Sequence, residues 1–121
     1  MSEECRIESI SAVTYYAADM RLALGFYRAL GFELVYGDDT AAFCSLKGGA
    51  GFVNLIHGPP PAAPWGRVII YVSDVDAMYR RVLAAGFSPE FAPSDARWGE
   101  RYFHVRDPDG NELSFARPLT P

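Results

Sequence analysis

The chain carries one pattern twice, 55 residues apart, and a repeat on that scale restricts the fold more than any single motif. Ala12 to Asp19 reads as a strand ending in an acid, and Arg67 to Asp74 reads the same way. A helical spacing follows each acid: Met20, Leu24, Tyr27 and Leu30 in the first copy, Val75, Met78, Val82 and Leu83 in the second. Asp19 and Asp74 suit the N-cap position, where a carboxylate accepts a free backbone N–H. Both helices should stop at a glycine followed by phenylalanine, Gly31-Phe32 and Gly86-Phe87. Glycine there fits a left-handed helix stop, and the next apolar residue can fold back onto the last turn.

Each copy continues in short β-like segments. The first offers Glu33–Tyr36, Ala41–Leu46 and Phe52–His57, the last two joined by the glycine-rich turn Lys47 to Gly51. That turn lacks a Gly-Lys-Ser/Thr ending and a following helix, so it is not a phosphate-binding loop. The second copy offers a weak strand near Pro89–Ala92, then Arg101–Arg106 and Glu112–Ala116. Asp107-Pro108-Asp109-Gly110 places Pro and Gly as a tight turn needs them, and no bidentate Glu follows at calcium-loop spacing. Gly58 to Pro64 is a stiff Pro-rich linker. The expected fold class is α+β: one domain over residues 1–121, with tandem βαβββ modules over about 7–57 and 65–117 forming a curled mixed sheet.

Composition narrows the partners. The net charge of −4 and the absence of a Lys/Arg cluster argue against nucleic acid and against an anionic membrane surface. No apolar stretch has the length of a membrane span, and the acidic start Met1 to Arg6 does not read as a signal peptide. Cys5 and Cys44 form no metal-type pair, so two free thiols in a reducing cytoplasm are expected.

Three stretches resemble the vicinal-oxygen-chelate superfamily, which includes glyoxalase I, extradiol dioxygenases, fosfomycin-resistance enzymes and bleomycin-resistance proteins. They are Asp19 through Phe26-Tyr27-Arg28-Ala29-Leu30-Gly31-Phe32, Val72 through Asp76 with its helix and Gly86-Phe87, and Trp98 through Asn111. The resemblance spans about Ile7 to Phe115 and implies two modules curling into a cup, often completed across a homodimer. A homodimer is also expected because a symmetric partner covers open sheet edges.

Metal-using members of this superfamily hold their ion with His and Glu on four strands. The matching positions here are Ala12, Asn54, Arg67 and Ser114. Alanine has no donor atom, serine and asparagine are weak neutral ligands, and arginine repels a cation. The expected cofactor is therefore none. A divalent metal enters only if His57, His104 and Glu112 form a relocated site.

Strand alternation sorts the remaining side chains. Val13, Tyr15, Val68, Ile70, Val72, Phe103, Val105, Leu113 and Phe115 should face the core. The cup face should carry Thr14, Tyr16, Phe52, Asn54, Ile56, Arg67, Ile69, Tyr71, Tyr102, His104, Glu112 and Ser114, with Trp98 as a lid from its polar loop. Arg67 either clamps a ligand carboxylate or phosphate or pairs with Glu112. His104 serves either as a general base, with Glu112, or as a hydrogen-bonding wall residue. Trp98 otherwise caps a core edge or fills a dimer interface, and Trp65 is read as packing. Three functions follow: a metal-free binding protein for an aromatic or polar organic ligand; a lyase, isomerase or dioxygenase using a relocated metal or metal-free acid–base chemistry; and a dimeric scaffold whose cup is self-filled.

Overall fold

The computed structural model describes residues 5, 6, 8–63 and 66–120. Its elements run β1 (Ala12–Ala17), α1 (Met20–Ala29), β2 (Glu33–Tyr36), β3 (Phe43–Gly48), β4 (Gly51–His57), β5 (Arg67–Tyr71), α2 (Val75–Ala84), β6 (Ser94–Asp95), β7 (Glu100–Arg106) and β8 (Glu112–Pro118). They form two four-stranded mixed sheets, ordered β1-β4-β3-β2 and β5-β8-β7-β6. In each, the module's first and last strands pair in parallel, β1 with β4 and β5 with β8. The expected α+β architecture of two βαβββ modules is thus what the chain builds.

Local chemistry explains both helices. Asp19 accepts the Leu22 N–H at 3.2 Å and Asp74 accepts the Ala77 N–H at 3.0 Å, so each carboxylate caps the first turn. At the other end Gly31 and Gly86 take φ of 107° and 89°. Phe32 and Phe87 then donate their N–H to the Tyr27 and Val82 carbonyls, each at 3.1 Å. The phenylalanines diverge beyond that point. Phe32 meets Tyr27 of its own helix edge-on, whereas Phe87 packs on Phe26 of the other module, with centroids 4.7 Å apart.

One segment departs from expectation. Pro89–Ala92 forms no strand, and the short pairing strand lies at Ser94–Asp95. Pro89 and Pro93 have no N–H to give a ladder, and Glu90 alone bonds to the neighbouring strand, through the His104 carbonyl at 2.9 Å. Trp65 and Pro64 lie outside the described residues.

The modules share one core, and its seam is polar as well as apolar. Tyr15, Tyr27, Phe26, Phe103 and Phe115 are its largest fully buried side chains. Tyr15 reaches from β1 into the second module, donating its hydroxyl to the Glu112 carbonyl at 3.1 Å and accepting from the Val68 backbone. Burial pushes that hydroxyl up to about 12. The Asp107–Gly110 turn works as a latch. Asp107 Oδ1 accepts the N–H groups of Asp109 and Asn111, and its Oδ2 accepts the Tyr27 hydroxyl at 2.9 Å. Asp109 in turn accepts the Ala18 N–H at 2.8 Å, and the Asn111 amide donates to the Tyr16 carbonyl. Arg81 of α2 closes the seam on the far side by donating to the Ala29 carbonyl at the end of α1. Among the described residues no helix is long and apolar enough to cross a membrane, and Cys5 and Cys44 are free thiols.

Candidate functional site

Register and alternation together fix the outward face of each sheet. On the second sheet it holds three rows. One is Tyr71, Ala116 and Tyr102; the next is Ile69, Ser114 and His104; the last is Arg67, Glu112 and Arg106. On the first sheet the matching rows are Tyr16, Ile56 and Phe43, then Thr14, Asn54 and Ser45, then Ala12, Phe52 and Lys47. The inward face carries Tyr15, Val53, Leu55, Phe103, Val105, Leu113 and Phe115, all buried.

The polar row of the second sheet is a connected cluster. His104 Nδ1 lies 2.8 Å from Glu112 Oε1 and 3.5 Å from Glu90 Oε2. Arg67 flanks it, with Nη1 3.4 Å from His104 Nε2 and Nε 3.5 Å from Glu112 Oε2. Arg106 holds the other oxygen of Glu90 at 2.7 Å. A guanidinium only donates, so His104 Nε2 is an acceptor and the ring proton sits on Nδ1, directed at Glu112. Both outcomes weighed for Arg67 bear on this place: it is a loose partner of Glu112, yet its side chain stays 47% exposed. Edge-on contacts from Phe91 and Tyr102, with centroids 5.1 and 5.2 Å away, keep the His104 ring covered.

Above the cluster stands an aromatic wall tied by Glu100. That carboxylate accepts the Tyr71 hydroxyl and, at 2.9 Å, the Trp98 indole N–H. The bond to Glu100 raises the pKa of the Tyr71 hydroxyl. Trp98 also leans on Tyr102, with centroids 5.2 Å apart. These rings are fixed while remaining open to solvent, Tyr71 at 61% and Trp98 at 67% exposure.

A cavity of about 640 Å³ opens between the start of β1, the β3–β4 turn and β5. Phe52, Arg67 and Tyr71, named from the sequence, line it together with Ala12, Val13 and Ile69. Tyr102, His104, Glu112 and Ser114 stand on the second sheet and Trp98 in the turn between β6 and β7, all outside its lining. Tyr16 and Asn54 stand on the first sheet. Among the described residues Asn54 reaches only Thr14, at 3.5 Å, and its buried Oδ1 has no partner. Glu90, Phe91 and Glu100 were not anticipated. Glu100 was accessible to sequence reasoning, because it shares the parity of Tyr102 and His104 on β7. Glu90 and Phe91 were not, because they sit in irregular chain where alternation has no meaning.

A family model described as Glyoxalase/Bleomycin resistance protein/Dioxygenase superfamily matches residues 9–115. The chain belongs to this superfamily. An uncharacterized protein of Mycobacterium bovis is 33% identical over 101 residues, which are 84% of this chain and 62% of that protein. The chain therefore spans less than two thirds of the length of that curated relative. Among solved structures, TioX from Micromonospora sp. ML1 superposes with a TM-score of 0.76 at 28% identity, covering 93% of this chain and 100% of the other. A bleomycin-binding protein complexed with bleomycin superposes with a TM-score of 0.76 at 24% identity, covering 92% and 98%.

The residues available do not fit the metal that some members of the glyoxalase superfamily carry. At the four ligand positions implied by the resemblance this member has a methyl, an amide, a guanidinium and a hydroxyl. Ala12 and Arg67 line the cavity, with no donor atom on the first and a fixed positive charge on the second. The alternative relocated set of His57, His104 and Glu112 is not assembled, because His57 ends β4 in the other sheet. Glu90 takes its place, and the ligand atoms of Glu90, His104 and Glu112 lie within 4.8 Å of one another. A cation on His104 Nδ1 would force the ring proton to Nε2, directly against the Arg67 guanidinium. It would also compete with Arg106 for Glu90. Glu90, His104 and Glu112 are engaged with one another and with Arg67 and Arg106.

Proposed function

We propose that this glyoxalase-superfamily member is a metal-free small-molecule-binding protein that holds an organic ligand in the cavity beside β5, against the aromatic face of the second module. The observation that carries the reading is the position of Arg67. It lines a cavity of drug-ligand size and lies 3.4 Å from His104 Nε2, where a cation-binding member would need a neutral or anionic donor. Tyr71 and Trp98, held by Glu100, add rigid stacking surface, which binds flat molecules at little entropic cost. The bleomycin-binding neighbour supports the reading to the extent that the same fold accommodates a small organic molecule.

The binding unit in this reading is a homodimer. Ile69 and Tyr71 on one sheet, with Trp98 in the turn beside it, are between 59% and 67% exposed, and Tyr16, Phe43 and Ile56 are partly exposed on the other. A symmetric partner laid across these faces removes them from water. Sedimentation at micromolar concentration should give a species of twice the chain mass, and a monomer alone would remove this part. The main test is a thermal-shift screen of aromatic compounds with parallel metal analysis. Ligands that raise the melting temperature of metal-stripped protein support the reading. Stabilisation only after a divalent ion is restored contradicts it.

One observation favours a second reading. The 2.8 Å contact between His104 Nδ1 and Glu112 orients the imidazole as a general base is oriented, with Nε2 unprotonated. In that reading the protein performs metal-free proton transfer, and His104→Gln abolishes turnover while leaving ligand binding intact.

A further inference from the structure

On the footing of the small-molecule reading above, we propose that the ligand class is an organic monoanion, an aryl carboxylate whose acid group sits on Arg67 and whose ring fills the cavity. The cavity lining is apolar apart from backbone, Ser11, the Tyr71 hydroxyl and a single charged side chain, Arg67. A lone fixed charge in such a lining selects one opposite charge on an otherwise apolar molecule, because a polar group taken from water must find a partner.

The guanidinium is positioned but not saturated. Nη1 reaches His104 Nε2 at 3.4 Å and Nε reaches Glu112 Oε2 at 3.5 Å, both long for their type. Nη2 has no partner among the described residues, and the side chain is 47% exposed. These two contacts anchor Arg67 from one side and leave donors for a carboxylate on the other.

Neighbouring charge sets the valence. Glu112 contacts Arg67 directly, while Glu90 reaches His104 from irregular chain and is paired with Arg106. The charges of Arg67, Arg106, Glu90 and Glu112 sum to zero. A monoanion adds one charge beside one half-open cation. A phosphate dianion would bring two negative charges up to a guanidinium already shared with Glu112. A cationic ligand meets a positive side chain in the cavity lining. The apolar part of the lining, Val13, Phe32, Phe52 and Ile69, suits a fused or substituted ring.

The test is an NMR titration of the full chain with 2-naphthoate and, separately, with its neutral isostere 2-naphthamide. Naphthoate should shift the backbone amides of Val13, Phe52 and Ile69 and bind roughly tenfold to a hundredfold more tightly than the amide, the range of a charge-assisted hydrogen bond. Arg67→Gln should erase that preference, and Arg67→Lys should keep part of it. The lysine variant guards against a fold defect in the glutamine one, and each is compared with wild type by circular dichroism. Equal affinity for acid and amide overturns the anion assignment while leaving a small-molecule cavity in place. A preference that survives in Arg67→Gln, or shifts confined to residues outside the cavity, also overturns it. Failure of every compound in the thermal-shift screen, charged or neutral, would instead sink the small-molecule reading itself.

Discussion

Removing the Tyr15 hydroxyl isolates the polar seam between the modules. Tyr15→Phe keeps the ring, which is 1% exposed, and deletes two hydrogen bonds: the one donated to the Glu112 carbonyl at 3.1 Å and the one accepted from Val68. Each bond contributes about 0.5–1.5 kcal/mol net, and both former partners lose their mate in a buried setting, so the loss should be about 2 kcal/mol. For a chain of this size that corresponds to a melting temperature lower by roughly 5–10 °C. Urea unfolding at neutral pH measures the change directly, with an unchanged denaturant slope expected because no extra surface is exposed. Tyr16→Phe, half exposed on the next position, is the control and should stay within about 0.5 kcal/mol. Alkaline pH gives a second signature. The folded hydroxyl is pushed up to about 12 from 10.0, so the folded state holds its proton more tightly. The stability it contributes is fully present below 10.0 and is lost as pH rises through about 12. Tyr15→Phe should lack that component of the alkaline loss. A loss below about 0.5 kcal/mol, or an alkaline profile identical to wild type, would refute the seam reasoning.

Gly86→Ala should cost about 1–2 kcal/mol from the left-handed backbone alone, because no atom lies within 4 Å of an added Cβ. Gly31→Ala should cost more in the same urea assay, since the Arg81 guanidinium lies 3.3 Å from the added carbon. Burial raises the Asp107 carboxyl above its ordinary 3.8, so its protonated form is favoured in the fold. The stability advantage of wild type over Asp107→Asn should therefore be largest below 3.8 and shrink as pH rises through the folded value; an advantage that grows with pH would contradict this. Glu100→Ala should free both rings it holds. In a Trp65→Phe background the steady-state anisotropy of the Trp98 indole should fall, and an unchanged value would show that Tyr102 alone positions it.

Much of this molecule was readable from its chain because the repeat and the helix caps are local physics. Asp19 and Asp74 cap as their type requires, and Gly31 and Gly86 end their helices with positive φ. Parity assigned the core face correctly at Tyr15, Phe103, Val105, Leu113 and Phe115. The weak strand was misplaced because prolines on both sides of Glu90 leave too few donors for pairing, a cost visible only once a partner strand is known. The latch function of Asp107, Asp109 and Asn111 was hidden for a related reason. A tight turn explains those residues locally, while their bonds to Tyr27, Ala18 and Tyr16 span about 80 to 95 residues of chain. At the site, Arg67, His104 and Glu112 share a face by alternation, but the tautomer of His104 follows only from where the Arg67 donor lies.

Elemental analysis after equilibration with zinc, manganese, nickel and ferrous iron and then desalting is the most direct check on a cavity that works without a cation. Far less than one ion per chain should remain, and a chelator should leave the 2-naphthoate titration unchanged. One tightly held ion per chain, lost in His104→Ala and needed for ligand binding, would contradict the account.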